Sequence, residues 1–510
     1  MLEVNTLIDL INSVGKSDNI AIRAHERPSL TYSGLESQIK TIINSLNDLG
    51  IGRNDRVAIV LPNGPEMATA FLAIATGATA APLNPAYRAE EFKFYLDDLN
   101  ACALVVDESS ESPALEVASE QGIPILRLCV EEGAAAGNFI LQGEAIDSGD
   151  RQIGKGPGSA DDIALVLHTS GTTSRPKIVP LSQSNLCASA RNIGNTLSLS
   201  KDDCCLNIMP LFHIHGLIAA VLSSIGAGAS IYATPGFNAL KVFTWITDAK
   251  PSWYTAVPTM HQAILSRVAR NKEVLEQMKL RFIRSSSSSL APQIMEELES
   301  TFGCPVIESY GMTEATHQMA SNLLPPGKRK AGTVGIAAGP EICVMDEQGN
   351  ILSSGQTGEL VIRGDNVTPG YENNPKANAE GFQDGWFRTG DQGFMDSEGY
   401  VTITGRLKEI INRGGEKISP REVDEVLLDH PAIQQVVTFA YPHKQLGEDV
   451  AVAVVLVEGE KLDESDLRNF ARERLADFKV PRKVVFIDEI PKGATGKLQR
   501  IGLAEKLGVS

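Results

Sequence analysis

The chain has 510 residues, 43% hydrophobic and 21% charged, with a formal net charge of -17. That length exceeds what one compact core holds and predicts at least two domains, and the balanced composition excludes a disordered or collagen-like chain. The negative surplus repels nucleic acid and anionic membrane over most of the surface, so an anionic small ligand must be met locally by chosen cations, backbone N–H groups or Mg²⁺.

In chain order, the start Met1-Leu2-Glu3-Val4-Asn5 lacks the basic-then-apolar layout of a secretory signal. Val57-Ala58-Ile59-Val60-Leu61 reads as a buried strand, and Pro65 to Gly77 as the helix after it. Leu104-Val105-Val106 and Ile163-Ala164-Leu165-Val166-Leu167 read as further buried strands. Strands alternating with helices predict an α/β chain with parallel sheets covered on both faces. Past residue 405 the texture changes. Helices are expected over Pro420–Asp429 and Glu464–Leu475, and strands over Val436–Ala440, Val450–Val457 and Lys483–Ile487. This is a small α+β unit, joined through the glycine-rich stretch from Gly405 to Gly415. Its net charge is only -2 over residues 407–510, against -15 on residues 1–406, so it is the less repulsive partner for a polyanion.

No run of eighteen apolar residues occurs, which predicts no stable membrane association, and the end Leu507-Gly508-Val509-Ser510 is not a peroxisomal address. Seven scattered cysteines, odd in number and without a CxxC pair, predict neither a disulfide framework nor a zinc site. Reduced thiols in a cytoplasmic protein fit best.

The sharpest motif is Thr169-Ser170-Gly171-Thr172-Thr173-Ser174-Arg175-Pro176-Lys177, directly after a predicted strand. Glycine and hydroxyl residues let backbone N–H and O–H groups wrap phosphate oxygens, and a lysine adds a point charge. A plain Ser/Thr turn is the plainer reading, but the closing Pro-Lys disfavours it. The loop is not a Walker A sequence. Four further motifs follow in order: Tyr310-Gly311-Met312-Thr313-Glu314-Ala315, Phe387-Arg388-Thr389-Gly390-Asp391, Gly405-Arg406-Leu407-Lys408, and Pro491-Lys492-Gly493-Ala494-Thr495-Gly496-Lys497. Taken singly, Thr313-Glu314 also suits a helix start and Thr-Gly-Asp a turn.

Together these motifs resemble the adenylate-forming superfamily of acyl-CoA synthetases, 4-coumarate-CoA ligases, luciferases and peptide-synthetase adenylation domains, over about residues 30 to 500. The resemblance implies a large N-terminal adenylation domain, residues 1–405, of parallel and mixed sheets flanked by helices plus a β-barrel-like subdomain. It implies a small mobile α+β lid, residues 406–510. It implies ATP and Mg²⁺ as reactants, with coenzyme A as co-substrate. A carboxylate and ATP give acyl-AMP and pyrophosphate, then a thiol attacks.

Residue roles come by the same resemblance. Thr169, Ser170, Gly171, Thr172, Thr173 and Lys177 hold phosphates, with Thr173 and Glu314 at the metal. Tyr310 and Gly311 pack on adenine beside Ser288, and Thr313 meets the α-phosphate. Asp391 and Arg406 take the ribose. Lys408 is the hinge, and Gly414 and Gly415 line the pantetheine tunnel, although Gly-Gly is commonly just a turn. Lys497 reaches from the lid to the two anions that must meet. One departure is Ile178, which follows Lys177 where the family usually has glycine and bears on the exit of the loop.

For the acid, Pro210-Leu211-Phe212-His213-Ile214-His215-Gly216 carries the family histidine, His213, which by resemblance orients the carboxylate. No Asp occurs from Leu211 to Ala239, which disfavours an amino acid. Arg284-Ser285-Ser286-Ser287-Ser288-Ser289-Leu290-Ala291-Pro292 puts hydroxyls where the family has small apolar residues, and His317 stands three places after Glu314. A second buried carboxylate needs such donors. The pattern resembles the oxalyl-CoA synthetase branch, which implies that Ser287 and His317 bind the distal carboxylate; the plainer reading has the serines at adenine and His317 structural. A fatty or aromatic acid, a carrier-protein thiol in place of coenzyme A, and a nucleotide-binding regulatory protein are the competing readings. Oligomeric state, monomer or homodimer, stays open.

Overall fold

The computed structural model describes residues 4–15, 17–146, 152–169, 176–491 and 499–509. Two sheets form the bulk of the first four hundred residues. One has seven strands, in the order 140–142, Ile125–Cys129, Ala103–Asp107, Arg56–Val60, Thr79–Pro82, Ile163–His168 and Ile178–Ser182. Its five central strands run parallel and its two edges antiparallel. The other has nine strands, with a parallel core running from Val306–Met312 through Phe282–Ser285, Trp253–Ala256, Cys204–Asn207 and Ser230–Ala233 to Ile20–Arg23.

The helix Pro65–Gly77 lies against the helix Tyr32–Asp48 and the strands Thr79–Pro82 and Ile163–His168, and all its residues except Glu66 are buried. An all-round apolar helix is a core helix. The expected strand over residues 57–61 is observed at Arg56–Val60. It stops where Val60 pairs with Val106, before the Leu61-Pro62-Asn63 corner. The core cluster around this helix also contains Leu217, Tyr310, Ala315 and Phe387, so the sheets, the motif strands and the next sheet share one apolar interior.

The expected barrel-like subdomain corresponds to a five-stranded antiparallel sheet built from Glu341–Met345, Gly358–Arg363, Phe382–Gln383, Trp386–Met395 and Val401–Arg406. Beyond it stands the smaller α+β unit. Its strands are Ile411–Arg413, Glu416–Ile418, Ile433–His443, Gly447–Leu456 and Lys483–Phe486, with helices Pro420–Leu428 and Glu464–Arg472. It has its own apolar cluster around Ile411, Val423, Leu427, Val452, Leu467 and Val480. Ser419 and Asp463 cap the two helices by accepting the N–H groups of Glu422 and Asp466. Such a cap contributes about 1 kcal/mol.

The strand Val401–Arg406 carries the chain from one unit towards the other. Arg421 NH1 donates to Ile403 O at 2.7 Å, Ser419 Oγ donates to Thr404 O, and Gln293 Nε2 donates to Asp429 Oδ1. These bonds hold the small unit beside the large one. No helix among the described residues is long and apolar enough to cross a membrane.

Candidate active site

The strands Ile163–His168 and Ile178–Ser182 form an antiparallel pair, closing at His168 opposite Ile178. Thr169 N donates to Lys177 O at 3.0 Å, and Lys177 N donates to Thr169 Oγ1 at 3.3 Å. Thr169 and Lys177 therefore form the neck of a hairpin whose loop carries the phosphate motif. Ser170, Gly171, Thr172 and Thr173 lie outside the described residues. Ile178 is buried and starts the returning strand, where it packs in the cluster with Phe92, Leu104 and Val166. Its side chain therefore anchors the loop's exit.

From this neck Lys177 Nζ lies 4.2 Å from the centroid of the Tyr371 ring. The Tyr371 hydroxyl donates to Glu314 Oε1 at 2.8 Å. Burial pulls the Lys177 ammonium below the ordinary lysine pKa, and Lys408 pushes the same way while Glu314 opposes both. Lys408 thus lies within electrostatic reach of Lys177. Like charges so placed suit a polyanion between them.

Glu314 is a single buried carboxylate. Among the described residues no group of three or more His, Cys, Asp or Glu could hold a metal. One carboxylate fits Mg²⁺ arriving on a nucleotide, since that ion takes one or two carboxylates together with phosphate oxygens and waters.

Asp391 sits in the long strand Trp386–Met395, across from Arg406. Its Oδ2 accepts from the Tyr310 hydroxyl, and its Oδ1 pairs with Arg406 Nε at 3.0 Å. Asp391 raises the Arg406 pKa and, after burial, that of Tyr310. A carboxylate has about four acceptor sites. Two are used here, which leaves room for a ribose diol. Ser288 is exposed, and its Oγ donates to the neighbouring Ser287 O at 2.9 Å.

The second cluster is buried next to the first. The segment His215–Leu222 is a π-helix, a rare form that is frequent at functional sites. His213 stands at its entry, and its Nδ1 accepts the His215 N–H at 3.2 Å. His215 is fully buried. Its Nδ1 lies 3.0 Å from Ser287 Oγ and its Nε2 2.6 Å from Thr255 Oγ1. The rings of His215 and His317 are 4.9 Å apart. The guanidinium of Arg284 faces both, with NH1 3.5 Å from His215 Nε2, and NH2 3.5 Å from His317 Nδ1 and 3.2 Å from Gln318 Oε1. Arg284 is completely buried, and no acidic side chain pairs with it among the described residues. Burial pulls its pKa down to about 9, which still leaves it charged at neutral pH.

One hairpin ties the clusters together. Val306–Met312 returns as His317–Ser321 through a single 3₁₀ turn, Thr313–Ala315. The motif thus makes one short turn in place of a full helix start, and the Thr313 hydroxyl makes no cap. Thr316 and His317 both have positive φ, 48° and 93°. Such strain in non-glycine residues persists where the surroundings over-determine it, typically at active sites. A side chain at Gly311 would lie 2.0 Å from His317 O, so only glycine fits against the returning strand.

On the lid, Gly414 and Gly415 join Arg413 to its antiparallel partner Glu416, with φ of 61° and 103°. Two successive positive φ values are what a two-residue I′ hairpin demands. Lys408 is exposed in the turn after Arg406, whose carbonyl accepts the N–H groups of Glu409 and Ile410. Lys497 lies outside the described residues. Arg500, three places on, is held by Asp424 at 2.6 Å and by Glu409 at 3.4 Å.

The structure brings Lys177, Glu314, Tyr310, Asp391 and Arg406 into one group, and Ser287, His317 and His213 into another. Tyr371, His215 and Arg284 carry no role in the motif reading. His215 and Arg284 stand inside quoted motifs, and an arginine in the middle of the strand Phe282-Ile283-Arg284-Ser285 was the available signal.

Comparisons with known proteins agree with this geometry. Residues 12–372 match the AMP-binding enzyme family and residues 422–497 the AMP-binding enzyme C-terminal domain. The oxalate–CoA ligase of Arabidopsis thaliana is 45% identical, covering 98% of both chains. That of Saccharomyces cerevisiae is 42% identical over 97% of this chain and 96% of its own. The crystal structure of ATP-bound MatB from Rhodopseudomonas palustris superposes with a TM-score of 0.87 at 29% identity, covering 98% of each chain. Two ordered family matches across the motif-bearing units, with relatives similar end to end, place this chain in the AMP-binding enzyme family of adenylate-forming ligases.

Proposed function

We propose that the enzyme activates oxalate with ATP, releasing pyrophosphate, and passes the oxalyl group from oxalyl-AMP to the thiol of coenzyme A, releasing AMP. The observation that carries the choice of acid is the cluster of half-buried Ser287 with buried His215, Arg284 and His317, which combines neutral donors with one cation that has no acidic side-chain partner among the described residues. An apolar acyl tunnel gains nothing from such a lining, whereas a second carboxylate buried there needs it. The similarity to oxalate–CoA ligases supports the same reading.

In this reading Lys177 and the phosphate-motif loop hold the β- and γ-phosphates. Glu314, with Thr173, would hold Mg²⁺, which when bound neutralises phosphate charge. Asp391 accepts from the ribose hydroxyls and Arg406 steadies Asp391. Tyr310 and Gly311 flank adenine with Ser288, and Thr313 donates to the α-phosphate. His213 orients the reacting carboxylate, while Ser287 and His317 donate to the distal one. Lys497 enters from the lid and offsets repulsion between the attacking carboxylate and the α-phosphate. We place the domain boundary between residues 405 and 406, with Lys408 as the hinge and Gly414-Gly415 beside the pantetheine arm in the thiolation pose. We read the enzyme as cytoplasmic, a monomer or homodimer, without nucleic-acid or stable membrane partners; its charge of -17 supports the last point.

The test is AMP production with ATP and coenzyme A against oxalate, malonate, acetate, octanoate and coumarate. Oxalate is expected to dominate. A silent oxalate reaction beside a strong longer acid would refute the assignment.

A further inference from the structure

An arginine side chain has donors and no acceptor. An imidazole nitrogen accepts from Arg284 only when unprotonated, and the Thr255 hydroxyl, 2.6 Å from His215 Nε2, can then donate to the same nitrogen. His215 Nε2 faces NH1 and His317 Nδ1 faces NH2, both at 3.5 Å. The guanidinium charge also opposes a second positive charge at that distance. Each imidazole is then neutral, with its proton on the other nitrogen. For His215 that nitrogen is Nδ1, which donates to Ser287 Oγ at 3.0 Å. The Ser287 hydroxyl, accepting there, has its own hydrogen left for an incoming oxygen. For His317 the proton sits on Nε2. The thiol of Cys205, two strands away from Arg284, is held protonated by burial and supplies no competing anion.

We infer that Arg284 is the positioning residue of the acid pocket: facing one nitrogen each of His215 and His317, it fixes both imidazoles as neutral with the proton on the far nitrogen, so that Ser287 and His317 present donors to the second carboxylate of a small diacid. Arg284 is fully buried and acts through its neighbours and through its charge. Without it, either histidine could switch tautomer, and Ser287 could be made to donate to His215 instead of to the ligand. The inference rests on the proposed oxalate activity for the identity of the acid, but not for the tautomers.

Two measurements test it. The first is ¹⁵N NMR of histidine-labelled wild-type protein without ligand, with His215→Gln and His317→Gln for assignment. The expected result is a neutral His215 protonated at Nδ1 and a neutral His317 protonated at Nε2. The opposite tautomer at His215, or an imidazolium at either site, would overturn the inference even if no Arg284 variant folds. The second compares oxalate with pyruvate, which keeps the skeleton and replaces the distal carboxylate by a neutral acetyl end. Arg284→Met is expected to lower the oxalate-to-pyruvate ratio of kcat/KM by about 30-fold or more, mainly through KM for oxalate. Arg284→Lys, which keeps the charge without the fork, should recover part of that ratio. An equal fall for both acids would mark a merely structural arginine and overturn the inference. If the wild-type enzyme ignored oxalate while the nitrogen shifts were as expected, the substrate assignment would fall and the tautomer assignment would stand.

Discussion

The hydroxyl of Tyr371 donates to Glu314 Oε1 at 2.8 Å, and the face of the same ring lies under the Lys177 ammonium at 4.2 Å. One aromatic side chain thus spaces the two opposite charges of the proposed phosphate site. It keeps them from collapsing into a direct ion pair that would have to break when MgATP enters. It also holds the Glu314 carboxylate in one orientation.

Removing only the hydroxyl separates these functions. Tyr371→Phe keeps the ring under Lys177 and deletes one hydrogen bond to a charged acceptor. Such a bond contributes about 1.5–3 kcal/mol. The expected outcome is a rise of about tenfold or more in the Mg²⁺ concentration needed for half-maximal pyrophosphate release, with the KM for the acid unchanged. A variant whose Mg²⁺ dependence matches wild type would show that the hydroxyl does not orient Glu314.

What was legible in the chain divides along physical lines. Local patterns sufficed where the signal is local. Pro65 and Gly77 bound their helix as expected, and Pro420 opens the lid helix. The strand over residues 450–457 runs from Gly447 to Leu456, longer at its start because its hairpin partner begins pairing at His443. The helix expected to reach Leu475 ends at Arg472, where the chain turns into Leu475 and Val480 of the lid core. Ordered motifs likewise marked Glu314, Tyr310 and Asp391. Arg284 and Tyr371 were silent because their meaning lies in contacts far along the chain. Arg284 meets His215 across 69 residues and Tyr371 meets Glu314 across 57. No period or propensity reports such a meeting.

The lowered Lys177 pKa makes a prediction about pH. Burial, then Lys408, disfavour the charged ammonium. The free enzyme therefore loses this proton at lower pH than an ordinary lysine would. Affinity for ATP should fall on the alkaline side as the charge disappears. Lys177→Arg keeps its charge to above about pH 12 and should move the alkaline limb of kcat/KM for ATP upward, at the cost of a lower plateau. An unmoved limb would assign it to another group.

Glu308 gives a stability prediction of opposite sign. Burial raises its carboxyl from 4.5 to about 7 in the folded protein, against the pull of Arg421. Its backbone neighbour Leu290 donates to Oε1 at 2.9 Å, while Oε2 has no hydrogen-bond partner. The folded state holds this proton to higher pH than the unfolded chain does. The stability it brings is complete below about pH 4.5 and is lost as pH rises through about 7. The loss amounts to about 3 kcal/mol, at 1.36 kcal/mol per pH unit. Glu308→Gln should flatten that part of the pH profile and unfold at higher denaturant than wild type at about pH 8. Parallel profiles for the two proteins would refute it.

The half-buried Arg500 ties the end of the chain to the lid through the buried Asp424. It pairs with Asp424 at 2.6 Å, reaches Glu409 at 3.4 Å, and donates NH1 to Thr438 O at 2.9 Å. Asp424 in turn accepts the Thr438 N–H at 2.6 Å. Truncating one member of a buried pair leaves the other charge stranded, which costs about 3–5 kcal/mol. Arg500→Ala should lower the unfolding midpoint of the lid. The double variant with Asp424→Asn should recover part of the loss, because the stranded carboxylate is gone. No recovery would mean that the arginine acts through packing alone.

Lys497 stands three residues before that anchor, and its proposed task is confined to one half-reaction. Adenylation joins a carboxylate to an α-phosphate, and both are anions. A cation brought in by the lid is effective at the moment that charge concentrates on the transferring oxygens. Thiolation has a different demand, since acyl-AMP already carries its leaving group and the thiol approaches as the nucleophile. Lys497→Ala should therefore reduce pyrophosphate release by about 10²–10³-fold, while acyl-CoA formation from supplied acyl-AMP proceeds near the wild-type rate. The asymmetry matters more than the size of the loss. A general structural defect in the lid would slow both half-reactions together, because in the proposed cycle the same unit also serves the thiol through Gly414 and Gly415. Equal losses in the two assays would remove Lys497 from the adenylation step.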